Sequence, residues 1–427
     1  MPRNVVLVTT AFPSASVTEE AFITPELEVL STKFDRVIIV PLLNNGSIKE
    51  ITYPDITVDW SVADSLSTRY NLLKLPYLLK PRVMRNYPEI IKTAGGLRCY
   101  ISRAVYCMNV EAMRSKLKKI IRRHGLSADS TLFYTFWFDF TTISLAEIAE
   151  TEPIHIVSRA HGYDIYDHLA PNRPPHLRQR ALNRMTRLYP ASRNGELFLR
   201  HSYPGNNDKI SMRILGSVKR DINFLTPCHS CGSRQVTFLS VARVSPEKGV
   251  RRNLDFVIKY SQIHPEQSVK WIHVGDGPEM HILKAESKKD VIPANLTIEL
   301  RGAMPNDDVH RIYESETVDW VILFSDTEGG CPIAICEAIS YSVPVIANAV
   351  GGVPEIVTPD AGITVVPATK PEDIVAAVDS IMEDEQKFRK LKDTAFIRWK
   401  DRFCAKKLRE DFVAEISGFI NPEKSDS

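Results

Sequence analysis

Short apolar runs of strand composition alternate with helix-period segments along almost the whole chain. In the first half the runs are Val5 to Val8, Val37 to Val40, Thr131 to Phe138, Ile154 to Val157 and Arg187 to Tyr189. In the second half they are Val236 to Val241, Val269 to Val274, Leu296 to Leu300, Trp320 to Phe324, Pro344 to Ala347 and Ile363 to Val366. Most are continuously apolar rather than alternating, which predicts strands buried on both faces of a parallel sheet. The stretches between them are long enough for crossover helices. One such helix should follow Lys370: Pro371 suits a first turn, and Ile374, Val375, Val378, Ile381 and Met382 share a face. The pattern predicts an α/β protein with two doubly wound parallel-sheet domains in tandem.

A chain of 427 residues also exceeds what one hydrophobic core usually serves. Strand-like runs lapse between Tyr203 and Arg234, where Pro204-Gly205-Asn206-Asn207, Pro227 and Cys228-His229-Ser230-Cys231-Gly232 supply turn chemistry. The expected division is a first domain over residues 1–205, a linker over 206–234 and a second domain over 235–395. Asn421 to Ser427 reads as a polar tail.

Charge adds a local feature that the whole-chain balance hides. Lys plus Arg (54) nearly equals Asp plus Glu (52), which supplies no general attraction to nucleic acid. Between Ser65 and Gly125, however, fourteen Lys or Arg face only Glu89 and Glu111, with Leu72-Leu73, Leu75, Tyr77-Leu78-Leu79 and Val83-Met84 interleaved. That mixture suits a segment lying on an anionic membrane surface, and equally a solvated helical face. A nucleic-acid surface ranks third, for want of an aromatic RNA-binding signature. No apolar run approaches a membrane span. The amino-terminal residues lack a signal-peptide pattern, and seven cysteines do not read as a disulfide framework, so a cytoplasmic setting is expected. Cys228 and Cys231 are half a zinc site without a second pair, and read as structural or incidental.

The candidate chemistry lies in the second half. Ser240-Val241-Ala242-Arg243-Val244-Ser245-Pro246-Glu247-Lys248-Gly249 follows a strand, where ligands bind in parallel α/β sheets. Arg243 and Lys248, five residues apart on a turn, can converge on a diphosphate. Phe324-Ser325-Asp326-Thr327-Glu328-Gly329-Gly330-Cys331-Pro332 then joins a strand to a helix carrying Glu337, and such a junction forms a natural anion site. A carboxylate in the first turns of that helix could accept both hydroxyls of a ribose.

With Gly275-Asp276-Gly277-Pro278, Glu328-Gly329 and Glu337-Ala338, Pro344-Val345-Ile346-Ala347 and Gly351-Gly352-Val353-Pro354-Glu355, this set resembles the family 4 retaining glycosyltransferases of GT-B fold (glycosyl transferases group 1). Order and spacing match over most of residues 235–360. Arg159-Ala160-His161-Gly162-Tyr163-Asp164 and Pro190-Ala191-Ser192 look like the family's acceptor-domain motifs. Trp399-Lys400-Asp401-Arg402-Phe403 looks like the final helix, expected over 396–420, that packs back on the first domain.

The resemblance implies two Rossmann-like domains facing a cleft and sugar transfer from a nucleotide diphosphate with retention. Arg243 and Lys248 would hold the diphosphate, Glu337 the ribose, and backbone around Gly302 to Met304 the base. Glu328, Gly329 and Gly330 would face the sugar, and His161 would sit at the cleft beside the anomeric carbon, although read alone it is equally a capping or core histidine. No Asp-x-Asp occurs, so metal independence is expected, with no cofactor beyond a UDP- or GDP-linked donor. The expected acceptor is lipid-linked or a polysaccharide, the expected place the cytoplasm or the inner face of the plasma membrane. Eight residues separate Glu328 from Glu337 where the family has seven, and Ala11-Phe12-Pro13-Ser14-Ala15-Ser16 replaces its glycine-rich first loop. These departures leave a second reading, a catalytically silent GT-B scaffold protein.

Overall fold

A computed structural model describes residues 3–14, 19–44, 46, 48, 51, 53–63, 74–219, 234–328 and 330–420. Gly329, Cys228, Cys231 and the tail from Asn421 lie outside these described residues.

The chain forms two compact units, residues 1–213 with 409–427, and residues 214–408. The first is built on β1 (Asn4–Thr9), β2 (Arg36–Pro41), β3 (Ile56–Val58), β4 (Thr131–Thr135), β5 (His155–Ala160) and β6 (Arg187–Pro190). The second is built on β7 (Gln235–Val241), β8 (Ser268–Val274), β9 (Leu296–Leu300), β10 (Trp320–Leu323), β11 (Val345–Asn348) and β12 (Gly362–Val365). The sheets run β3-β2-β1-β4-β5-β6 and β12-β11-β10-β7-β8-β9, and every pairing within them is parallel. Strand order reverses beside β1 and β4 in one sheet and beside β7 and β10 in the other. Ligands of doubly wound sheets settle at the carboxyl ends of such strands.

Both faces of each sheet are covered. Val6 and Val8 enter one cluster of the first unit while Val5 and Leu7 enter the other. In β10, Val321 and Leu323 face one cluster and Trp320 and Ile322 the opposite one. Two-sided burial is why these strands read as unbroken apolar runs. The helix Pro371–Met382 forms as the pattern predicts, with Ile374, Val375, Val378 and Ile381 buried.

Three features differ from the expectation. β3 is a three-residue edge strand whose Thr57 is exposed, too short to stand out as an apolar run. β4 stops at Thr135, and Phe136-Trp137-Phe138 leave the sheet to pack as rings. The closing segment changes unit at Arg409 rather than near residue 396. Trp399 and Phe403 belong to the core of the second unit, whereas Phe412, Val413 and Ile416 of the helix Ala405–Ser417 complete that of the first.

Candidate functional site

In the second unit the loops after β7 and β10 meet at the reversal point. Asp326 donates its backbone N–H to the Glu247 carbonyl (2.9 Å), and Arg252 reaches both the Phe324 carbonyl (2.5 Å) and the Asp326 carboxylate (2.7 Å). Lys248 donates from Nζ to Oε1 of Glu328 at 2.6 Å. Glu328 is only 8% exposed, so this pair sits largely out of water. Arg243, on the same loop as Lys248, is exposed. Gly330 is half-buried on the second loop.

The glycine motifs act from behind these loops. Gly275 has φ +141°, and a Cβ there would lie 1.9 Å from the Ala242 carbonyl oxygen, so only glycine lets the β8 loop brace the Arg243 loop. That brace is hydrogen-bonded, Val244 N–H to the Asp276 carbonyl (3.0 Å) and Glu279 N–H to the Val244 carbonyl (3.1 Å). Gly351 has φ +54°, and its Cβ would fall 1.4 Å from the Glu328 carbonyl oxygen. Asn348 adds a bond from Nδ2 to the Ser325 carbonyl (2.9 Å). Motifs spread over residues 240–355 thus share one task, shaping the two loops that carry Lys248 and Glu328.

Glu337 lies on the helix Ile333–Ser340, 5% exposed. Asn306 donates from Nδ2 to its Oε1 at 2.7 Å, and His310 Nε2 lies 3.9 Å from the same oxygen. Burial pushes the Glu337 carboxyl up to about 7, and the Asn306 bond works against that rise. Met304, half-buried after β9, packs against the core of this unit. Gly302, which precedes it, accepts the Gly275 N–H at its carbonyl (2.8 Å). Cys331 and Cys336 are free thiols whose sulfurs approach to 3.1 Å beside this helix start.

In the first unit, loops after β1, β4 and β5 gather at the equivalent point. Asp164 joins two of them, accepting the His161 N–H (2.7 Å) and Gly162 N–H (2.9 Å) at Oδ1 and the Phe138 N–H (3.0 Å) at Oδ2. The loop after β1 needs no run of glycines, because the Glu19 carboxylate accepts the N–H groups of Thr10, Ala11 and Phe12 and the indole N–H of Trp137. His161 stacks among Phe136 and Trp137, each ring centroid 4.7 Å away, and Nε2 lies 3.0 Å from the Phe136 carbonyl. Burial lowers its basicity, which favours the neutral ring with Nε2 as donor. Tyr163 stacks on Trp137 at 5.2 Å and is 45% exposed. Arg159 plays a different part: wholly buried, it pairs with Glu26 (2.7 Å) and donates to the Tyr134 hydroxyl (2.8 Å).

Part of the basic stretch is paired with carboxylates from outside its own sequence. Arg82 and Arg85 pair with Glu147 and Glu150, Lys118 with Glu152 and Arg123 with Asp59. Its outward side mixes apolar and basic side chains: Leu75, Leu79, Met84, Ile91, Leu97 and Ile101 are exposed, with Lys80, Lys92 and Arg98 among them, and Lys119 and Arg122 are exposed farther along. Among the described residues no helix is long and apolar enough to cross a membrane.

Sequence reading located the loops but missed Glu19, Asp164 and Asn306 as the groups that hold them. Asp164 stood inside a recognised motif without a role. Glu19 and Asn306 carry no local signature.

Known proteins resemble this chain in sequence and in fold. Residues 230–398 match the family described as Glycosyl transferases group 1. The chain is 27% identical over 144 residues to a phosphatidylinositol N-acetylglucosaminyltransferase component (the A polypeptide) of Arabidopsis thaliana, a match covering 34% of this chain and 30% of that protein. Among solved structures, the lipopolysaccharide outer core galactosyltransferase WaaB superposes with a TM-score of 0.66 at 13% identity, covering 97% of this chain and 99% of that one. The sucrose-phosphate synthase of Thermosynechococcus elongatus gives 0.64 at 14%, covering 97% and 98%. Anabaena Alr3699/HepE, solved with UDP, gives 0.61 at 14%, covering 97% and 100%. At these identities the structures establish the fold, which is GT-B. The match to the group 1 glycosyltransferases falls wholly within the second unit.

Proposed function

We propose that the whole chain is a metal-independent retaining glycosyltransferase that moves a sugar from a UDP- or GDP-linked donor to a lipid-linked or polysaccharide acceptor. The observation that carries this reading is the pairing of Lys248 with Glu328, which joins two loops at the strand-order reversal of the group 1 domain. Arg243 and Lys248 offer forked and point-charge donors to a leaving diphosphate, the service a metal would otherwise give. Glu337 is assigned to the ribose hydroxyls, and the backbone from Gly302 to Met304 to the base. Glu328 and the Gly329-Gly330 turn are assigned to the sugar. His161, neutral and held by Phe136 and Asp164, suits a group that donates or accepts a hydrogen bond near the reacting carbon without carrying charge. Such transfer asks the protein for positioned dipoles and a dry site more than for covalent help.

A lipid acceptor is favoured by the activity for which the Arabidopsis relative is named and by the outward apolar side chains from Leu75 to Ile101 with their lysines and arginine. That surface suits peripheral contact with an anionic bilayer on the cytoplasmic side. The test is transfer from UDP- and GDP-sugars to phospholipid and polyprenyl-phosphate acceptors in vesicles, in EDTA, with the product's anomeric configuration read by NMR. Transfer with retention in EDTA is expected. Inversion or strict metal dependence would refute the mechanism, and donor binding without transfer to any acceptor would favour the silent scaffold.

A further inference from the structure

Glu337 is held in a way that a ribose-binding carboxylate does not require. Its Oε1 accepts the Asn306 amide at 2.7 Å, and the same oxygen faces His310 Nε2 at 3.9 Å. Both contacts fall on Oε1, which leaves Oε2 for a ligand. Asn306 begins the helix Asn306–Ser315 directly after Met304 and Pro305, so it stands between the proposed base-contacting backbone and the proposed ribose carboxylate. His310 is fixed in turn, its Nδ1 lying 3.0 Å from the Tyr341 hydroxyl, which also reaches Glu314 at 3.1 Å.

We propose that Asn306 is a positioning residue for nucleotide-sugar binding, holding Glu337 ionised with Oε2 turned to the ribose. The proposal rests on the assignment of Glu337 to the ribose. A buried carboxyl must lose its proton to offer its full set of acceptor sites, and burial opposes that loss. Burial alone drives Glu337 toward neutrality at physiological pH, and the Asn306 amide is the contact that pulls it back. The other polar groups facing the carboxyl are His310, Tyr313 and Cys336. Burial raises Tyr313 and Cys336 well above their ordinary values, so both stay uncharged across the range in which Glu337 titrates. His310 is the remaining polar group against the carboxyl.

With Glu337 half-ionised near pH 7, donor affinity should climb as pH rises through that value and level off above it. Removing Asn306 takes away one hydrogen bond to a charged group, about one pH unit, which at pH 7 leaves about one carboxyl in ten ionised instead of one in two. Donor binding by Asn306→Ala should therefore be about fivefold weaker at pH 7 and within about twofold of wild type at about pH 8.5.

The experiment is calorimetric titration of the full chain with UDP-glucose, GDP-glucose and ADP-glucose, carrying the tightest binder through a pH series. Diphosphate diesters carry no proton that titrates in this range, and the series stops at about pH 8.5, below the range in which uracil and guanine lose their ring N–H protons. Wild type, Asn306→Ala and Glu337→Gln are compared. Recovery of Asn306→Ala at high pH, with a flat profile for Glu337→Gln, is the expected result. A merely structural Asn306 would leave the variant equally weak at both pH values, and that outcome overturns the proposal. So does an unshifted profile, or a pH dependence that survives Glu337→Gln and so belongs to His310. If wild type binds none of the three donors, the ribose assignment itself falls.

Discussion

Replacing Glu328 by glutamine separates two roles that the structure places on one side chain. Without donor, Glu328 holds Lys248 at 2.6 Å in a pair whose side chains are 8% and 30% exposed. A diphosphate arriving at the loop after β7 must draw that ammonium away before using it. Glutamine keeps the shape and one neutral acceptor but removes the charge. A hydrogen bond between two charged groups contributes about 1.5–3 kcal/mol and a neutral acceptor about half of that. The difference, about 1 kcal/mol, should return to the ligand as about fivefold tighter binding of UDP or GDP alone. Turnover should move the other way, falling tenfold or more, because the group assigned to the donor sugar is gone. Calorimetry with the free nucleotide and initial rates with its sugar conjugate give the two numbers. Unchanged or weaker nucleotide binding in Glu328→Gln would mean that the pair does not compete with the diphosphate, and the reasoning would fail.

Other perturbations address the supporting parts. Gly351→Ala forces a Cβ toward the Glu328 carbonyl at a φ of +54°, so the unit should lose about 2 kcal/mol or more in denaturant titration and bind nucleotide more weakly. Arg243 is exposed, so Arg243→Ala should leave the thermal midpoint in place while weakening diphosphate binding by about 1.5–3 kcal/mol. Leu79 and Leu97 are 76% and 75% exposed, and changing both to glutamate should abolish co-sedimentation with anionic vesicles. Neutralising Lys118 or Arg123, already paired with Glu152 and Asp59, should change it little. The reverse pattern would assign the membrane contact to the basic helix Leu97–Arg123.

The sheets were legible because their strands are buried twice over. Val5 to Val8 and Trp320 to Phe324 carry that burial in unbroken apolar runs, with no need of a partner to interpret them. Loops at the carboxyl ends were legible for a related reason, since a glycine such as Gly351 marks a place where a side chain has no room. Pairings between distant residues were not. Lys248 and Glu328 stand 80 positions apart, and Asn306 and Glu337 stand 31 apart, so no local pattern announces either contact. Partners of the basic stretch were hidden in the same manner, because a count of charges within a window omits Glu147, Glu150 and Glu152, which fold against it. β3 escaped notice because three residues at a sheet edge, one facing water, satisfy no periodicity.

Thermal stability in the presence of UDP, GDP and ADP and their common sugar conjugates, with and without EDTA, tests the central claim most directly. Preferential stabilisation by nucleotides of one base, unchanged by EDTA and lost in Glu337→Ala, is the predicted result. No stabilisation by any of them, or stabilisation that vanishes when divalent metal is removed, would contradict a metal-independent nucleotide-sugar site in the second unit.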